Sequence, residues 1–381
     1  MTISIGLAVD ALSPSLTGVG RYCWELASRL HDEPDIGCVT YWRGNDQILQ
    51  PAQLLRGEGL GLRPYTRLRR WALRRARNMG VLNESALWPK HHGVELFHGP
   101  NFMLPRWVES GVITVHDLSV FLFPETHPVA RIRAFEQDFK DSLSRARRII
   151  TPSQAIRREL AEFAGIDLGL ITAIPMGVHG AFAPVRESEL QAVLTRLRLP
   201  KDGYGLTLAT LEPRKRIDLL LAAWRVLPDN LRTRYPLVIA GASGWKNASL
   251  RAQIDEAVAE GWAIFLGYVA DTDLPALYSG ARLFAYPSIY EGFGLPPIEA
   301  MACGVPVVVA NCSCLPEITK GAAALIAPED TKGTAVKLAN ALVDDAWRSL
   351  AIDRGLEVAR GYSWERCISE TAALYAQALN S

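Results

Sequence analysis

Tyr290-Glu291-Gly292-Phe293-Gly294-Leu295-Pro296-Pro297-Ile298-Glu299-Ala300-Met301-Ala302-Cys303-Gly304-Val305-Pro306-Val307-Val308-Val309 is the stretch whose reading decides the fold. Arg282 to Tyr286, just upstream, has the length and apolarity of a buried strand. Gly292 and Gly294 punctuate a turn, Pro296 suits the first turn of a helix, Gly304 closes that helix, and Val305 to Val309 reads as a second buried strand. The order is therefore strand, ligand loop, helix, strand. Glu291 and Glu299 stand eight residues apart, one before the helix and one inside it, so both can face a ligand lying over the helix N-terminus. Free backbone N–H groups and the helix dipole at that end favour an anion such as a diphosphate, cradled by Gly292, Phe293, Gly294 and Leu295. The plainer alternative is a connection whose glycines only make the turn.

Working outward, apolar runs at Tyr204–Thr210, Leu237–Gly241, Ala263–Leu266, Arg282–Tyr286, Val305–Val309 and Ala323–Ile326 alternate with helical stretches, the pattern of a parallel, doubly wound sheet. The first half repeats it with Ile3–Val9, Cys38–Trp42, Val94–His98, Val112–His116, Arg148–Thr151 and Leu170–Ile174. Ile174 to Pro184, followed by a polar helix up to Pro200, reads as the linker. The α/β chain is thus expected to form two Rossmann-like domains, residues 1–185 and 200–360, with 361–381 as a C-terminal helix. A length of 381 residues accommodates two cores.

Candidate chemistry falls at strand ends, where open α/β sheets carry their sites. Gly18 and Gly20 follow the first strand in a loop leading to a helix from about Gly20 to Leu30, and would let backbone approach a phosphate; an ordinary turn reads equally well. His116 and Asp117 end a strongly apolar strand, although a lone histidine there is often structural. Leu211-Glu212-Pro213-Arg214-Lys215-Arg216 follows the first strand of the second series, and adjacent cations there can neutralise a diphosphate. Asp271-Thr272-Asp273 invites a metal-binding reading but sits where an aspartate is expected to cap the helix starting at Leu274, so no metal is assigned.

The composition is 49% hydrophobic and 21% charged, with a net charge of +1 that gives no general attraction for nucleic acid. Seven arginines and no acid lie between Arg63 and Arg77, with Tyr65, Leu68, Ala72, Ala76 and Met79 at helical spacing and Trp71 near the border. Such a helix suits an anionic membrane surface or a lipid diphosphate acceptor; the alternative is a solvated helix packed on its own domain. No run reaches the ~18 apolar residues needed to span a bilayer and no leader is evident, so a cytoplasmic protein is expected. The six cysteines lack CxxC or zinc spacing and are expected to be reduced and mostly buried.

Glu291-Gly292-Phe293-Gly294-Leu295-Pro296 with Glu299-Ala300-Met301-Ala302, Gly304 and Pro306-Val307-Val308 resembles the retaining glycosyltransferases of family 4, nucleotide-sugar enzymes of the GT-B fold. Thr17-Gly18-Val19-Gly20-Arg21-Tyr22, Phe97-His98-Gly99-Pro100-Asn101, Thr114-Val115-His116-Asp117-Leu118-Ser119 and Leu211-Glu212-Pro213-Arg214-Lys215 resemble the family in the same order, so the likeness spans nearly the whole chain. It implies two domains facing across a cleft, a C-terminal helix crossing back to the first, and no cofactor beyond the nucleotide sugar. It also implies retention of anomeric configuration, with attack from the leaving-group face. His116 would lie beside the transferred sugar, Glu291 would bind sugar hydroxyls, Glu299 the ribose, Lys215 and Arg214 the diphosphate, and Tyr268 and Val269 the base. Many members place an arginine where this chain has Thr210, which shifts weight to Lys215. Wording of this kind points to GDP-mannose or a 6-deoxy relative such as GDP-rhamnose as donor, and to a lipid-linked saccharide acceptor in lipopolysaccharide O-antigen synthesis at the inner face of the membrane. A non-catalytic subunit of an assembly complex, a nucleotide-sugar epimerase and a dehydrogenase are the alternatives; the last lacks a G-x-G-x-x-G after the first strand.

Overall fold

A computed structural model describes residues 2–58, 93–127, 129–201, 203–245 and 247–380. The arginine segment Arg63–Arg77 lies outside the described residues. Two sheets organise the rest. The first contains β1 (Ile3–Ala8), β2 (Ile36–Arg43), β3 (Asp46–Ile48), β4 (Leu96–Gly99), β5 (Gly111–Thr114), β6 (Ala146–Thr151) and β7 (Ile171–Ala173), in the order β3-β2-β1-β4-β5-β6-β7. The second contains β8 (Gly205–Leu208), β9 (Leu237–Ala240), β10 (Ala263–Gly267), β11 (Leu283–Tyr286), β12 (Val307–Ala310) and β13 (Ala324–Ile326), in the order β10-β9-β8-β11-β12-β13. The second sheet is parallel throughout.

The first sheet departs from expectation at one edge. β3 pairs antiparallel with β2, Tyr41 opposite Ile48. The cause is local: Gly44 takes a left-handed φ of 59°, and the two-residue Gly44-Asn45 connection is too short for a crossover, so the chain can only turn back. Elsewhere most strands are shorter than or shifted from the apolar runs, while β2, β6 and β10 extend beyond theirs. His116 lies two residues beyond β5 and Thr210 two beyond β8, so both belong to loops.

Sequence explains these elements well. Val307, Val308 and Val309 are 0% exposed, as expected of a β-branched run covered on both faces. The helix Gly18–Arg29 begins two residues earlier than expected because Thr17 is its N-cap, the hydroxyl accepting from the Gly20 N–H at 3.3 Å. The helix Gln154–Ala164 is capped by the Ser153 hydroxyl and closed by Gly165 at φ 65°.

In each sheet the strand order reverses once, between β1 and β4 and between β8 and β11, and the residues after those strands meet. The helix Glu187–Leu197 packs on Leu274–Ser279, beside the second sheet, whereas the last helix, Trp364–Leu379, packs on Gly18–Arg29 and on β5 and β6. Trp364 and Tyr375 on that helix are 1% and 0% exposed. Burying each large side chain contributes about 1.5–3 kcal/mol, enough to hold the helix across the junction. Four of the six cysteines are buried and none is bridged; Cys38 is exposed. Among the described residues no helix is long and apolar enough to cross a membrane.

Candidate active site

Beyond β11 the chain turns so that Ser288 to Glu291 lie over the carboxyl end of the second sheet. The Glu291 carboxylate is 8% exposed. Its Oε1 accepts from the Lys215 ammonium at 2.5 Å, the Ser288 hydroxyl at 2.5 Å and the Tyr286 hydroxyl at 3.0 Å. Arg214 stands 3.7 Å from Oε2, donates to Glu212 at 2.8 Å and also bonds the Tyr290 carbonyl. Both cations sit on the tight turn Pro213–Lys215 that follows β8. Burial alone would raise the Glu291 pKa, but Lys215 and Arg214 outweigh it and hold the carboxylate below its usual range. Burial likewise works against the Arg214 charge, and Glu291, Asp117 and Glu212 more than compensate. The expected sugar-binding carboxylate and the expected phosphate-binding ammonium are thus partners of one another.

On the first sheet, His116 is 3% exposed. Its Nε2–H donates to the Pro100 carbonyl at 2.7 Å, which fixes the tautomer and leaves Nδ1 as a bare acceptor with no partner among the described residues. Burial lowers its pKa against the opposing pull of Pro100 and Asp117, keeping the ring neutral. Tyr22 and Phe102 hold it edge-on, with centroids 5.1 and 5.5 Å away. Asp117 Oδ1 accepts from the Ser119 N–H at 2.8 Å. Burial would raise the Asp117 pKa, yet the Arg214 charge and Ser119 bring it down, so the two halves are electrostatically coupled here.

Gly292 is the point of closest approach. A Cβ on it would lie 1.7 Å from the His116 carbonyl oxygen, so only glycine lets the loop seat against the first sheet. The Ser153 hydroxyl donates to the Gly292 carbonyl at 2.8 Å, and the Tyr290 hydroxyl accepts from the Leu118 N–H at 3.0 Å while bonding Glu159. Gly294, at φ 90°, precedes the helix Leu295–Ala302. Phe293 and Leu295 are 4% and 7% exposed core residues, so their side chains serve packing and leave only backbone to the cleft. Gly18 opens the helix Gly18–Arg29, and a Cβ there would meet only Leu295, at 3.8 Å. Two helix N-termini therefore face each other across the cleft.

The remaining candidates divide. Glu299 is buried, and its Oε2 accepts from the Tyr278 hydroxyl at 3.0 Å; burial raises its pKa despite Arg21 and Tyr278. Gly20 is buried against Ala11 and Leu16, so its missing side chain serves packing and not a ligand. Tyr268 is exposed and lines a cavity of ≈ 300 Å³ with Gly241 and Asn247 at the carboxyl ends of β9 and β10, whereas Val269 is buried in the core. Thr210 is half-buried in the loop after β8. The aspartates are spoken for differently than expected. Asp273 occupies the N-cap position but makes no capping bond; its carboxylate pairs with Arg196 at 2.6 Å, and Asp271 pairs with Arg21 of the other half at 3.0 Å.

Sequence reasoning missed Tyr286, Ser288, Ser153, Tyr290 and Glu317. The hydroxyls flanking Glu291 carried a usable signal, since a buried carboxylate requires donors close in sequence or space. Glu317 carried none. Its carboxylate accepts from the Gln154 and Ala155 N–H groups at 2.7 and 2.8 Å, a contact over 162 or more positions.

Two doubly wound domains meeting at their strand ends, with paired carboxylate and cations on one side and a buried histidine on the other, define a transferase site of the GT-B type. Residues 16–181 match the family model described as Glycosyltransferase Family 4 and residues 197–355 that of Glycosyl transferases group 1. The chain is 37% identical over 380 residues to O-antigen chain mannosyltransferase B of Escherichia coli, covering 98% of this chain and 99% of that one. It belongs to this glycosyltransferase family. It is also 33% identical over 259 residues to the serotype-specific mannosyltransferase WbdA of Escherichia coli, spanning 66% of this chain and 32% of that protein. Among solved structures it resembles sucrose-phosphate synthase from Thermosynechococcus elongatus (TM-score 0.73, 22% identity, 98% of each chain covered). The Anabaena protein HepE in complex with UDP and glucose is similarly alike (TM-score 0.72, 18% identity, 98% and 99% covered). At those identities the likeness is one of fold.

Proposed function

We propose that this glycosyltransferase moves a mannosyl residue, or a 6-deoxy relative such as rhamnose, from a GDP-sugar to a lipid-linked glycan in O-antigen synthesis. The near-full-length identity to an O-antigen chain mannosyltransferase carries this reading. Residues 200–360 would bind the donor and 1–185 the acceptor, with 361–381 crossing back to the first domain. Breaking the sugar–phosphate bond builds negative charge on the diphosphate. Lys215, Arg214 and the N-termini of Gly18–Arg29 and Leu295–Ala302 would stabilise that charge without a metal in a site that is already organised. Glu291 orients the sugar through its hydroxyls, and Glu299 holds the ribose. Nδ1 of His116 can accept a hydroxyl proton but has none to give, which favours a sugar bearing a 6-hydroxyl over its 6-deoxy relative. Arg63–Arg77 would hold the enzyme at the anionic inner surface of the cytoplasmic membrane.

Calorimetry with GDP-mannose, GDP-rhamnose, UDP-glucose and UDP-N-acetylglucosamine, followed by mass spectrometry of the transfer product, tests the proposal. GDP-mannose is expected to bind tightest and to be transferred in the presence of a chelator. Tighter binding of a uridine nucleotide overturns the donor assignment, and loss of activity restored by magnesium or manganese overturns the metal-independent scheme.

A further inference from the structure

A cavity of ≈ 750 Å³ opens on the first-domain side, at the carboxyl ends of β1, β2 and β4 and beneath the helix Val129–Ser144. Its size falls in the range of small-molecule sites, about 300–1,000 Å³. Pro100 and Asn101 form one wall, and the Pro100 carbonyl is the group that holds His116, so one wall of the cavity is shared with the support of that histidine. Asn45, Asn101 and Gln137 present exposed amides to it. Asp10 reaches it from the end of β1, its Oδ1 accepting from the Gly44 N–H at 3.0 Å. The protein around Asp10 raises its pKa although the side chain stays accessible, as befits a group lining a recess.

The charge of this lining decides what it can hold. Asp10, Asp138 and Asp141 face it with a single guanidinium, Arg106. Arg106 is committed to Asp138 at 2.6 Å, and Asp141 is committed to Arg145 at 2.7 Å. Among the described residues the lining thus sets three carboxylates against one committed guanidinium, with Arg43 acting on Asp10 from outside the lining, so a diphosphate entering it would meet a net like charge. Amides and carboxylates beside the buried ring of Trp107 suit a neutral polyol, whose hydroxyls donate to carboxylate oxygens and exchange both kinds of hydrogen bond with amides.

We infer that this cavity is a subsite for the neutral, sugar end of the acceptor, so that the enzyme recognises the growing glycan and not the diphosphate of its lipid carrier. The inference rests on the acceptor being a glycan, as proposed above, and gives Asn45, Asn101 and Gln137 its reading role. A lipid-free methyl dimannoside is expected to bind the full chain in saturation-transfer NMR and to act as acceptor. Asn101→Ala and Gln137→Ala should each weaken dimannoside binding about tenfold while the affinity for GDP-mannose stays within twofold. Geranyl diphosphate should not displace the dimannoside.

Displacement by geranyl diphosphate, or unchanged dimannoside affinity in both variants, overturns the subsite, as does a matching loss of GDP-mannose affinity. Failure of the donor reading is seen separately. Wild-type protein that binds the dimannoside but not GDP-mannose would keep the subsite and discard the donor.

Discussion

At the scale of single residues, Glu291 concentrates the electrostatics of the site. Glu291→Gln keeps the shape but leaves Lys215 with Glu212, and Arg214 with Asp117 and Glu212, as nearby counter-charge, and breaking a buried pair costs about 3–5 kcal/mol. We expect turnover to fall at least tenfold, about 1.4 kcal/mol at the transition state, in a protein that remains folded at 25 °C but unfolds at lower denaturant. Unchanged kcat in the folded variant would remove Glu291 from the site. His98 makes a second case. It is 0% exposed, with Nδ1 and Nε2 bonded to the Tyr375 and Thr114 hydroxyls at 2.7 and 2.8 Å, and burial pushes its pKa down to about 3. The unfolded chain takes up that proton near pH 6.5 and the folded chain does not until about pH 3, so stability is complete above about pH 6.5 and is lost as pH falls toward 3. The loss is on the order of 5 kcal/mol. Denaturant midpoints between pH 7.5 and 4.5 should drop more steeply for the wild type than for His98→Asn; parallel profiles would show that His98 is not the group responsible.

At the scale of elements, the loop after β11 explains both what could be read from sequence and what could not. Gly292, Gly294, Pro296 and Gly304 each have a local backbone requirement, so the strand, turn, helix and following strand around Glu291 were legible residue by residue. The parallel sheets were legible for the same reason, since doubly buried strands need unbroken apolar runs. β3 was not, because its three residues are polar or half-buried and are placed only by the Gly44 turn. Nor were the pairings of Asp271 with Arg21 and Asp273 with Arg196, which bridge 250 and 77 positions and depend on packing between elements. The same packing makes Gly292 a sharp test. In Gly292→Ala the new methyl would have to sit 1.7 Å from the His116 carbonyl, so the loop and the first sheet must separate. Since Lys215 and Arg214 lie on the loop's own domain, nucleotide binding should persist with modest loss while turnover falls at least a hundredfold, about 2.7 kcal/mol. Wild-type turnover in Gly292→Ala would mean the two halves need not meet at this residue.

At the scale of the whole molecule, we expect activity to follow how tightly the halves close, with Glu317 as a side chain through which that closure can be adjusted from outside the chemistry. It belongs to the helix Leu315–Thr319 beside the second sheet, yet its carboxylate takes the first free N–H groups of Gln154–Ala164, a helix of the first half. A carboxylate at a helix N-terminus satisfies orphan donors and meets the positive end of the dipole. One bond is solvent-exposed and the other half-buried, which discounts them to about 1–2 kcal/mol together. The last helix ties the domains differently, since Tyr375 and Trp364 are buried against the first half. Glu317→Ala should therefore leave both cores folded and shift the closed-to-open ratio about tenfold toward open. Small-angle scattering of the free enzyme would show a larger radius of gyration, and saturating nucleotide would restore the compact form. Glu317→Gln, which keeps one acceptor oxygen, should fall between the two, with kcat following the closed fraction. Identical scattering for wild type and Glu317→Ala, with and without nucleotide, would place the control of closure elsewhere in the interface, at Ser153 and Tyr290 first, since these alone join the Glu291 loop to the first half by direct side-chain bonds among the described residues.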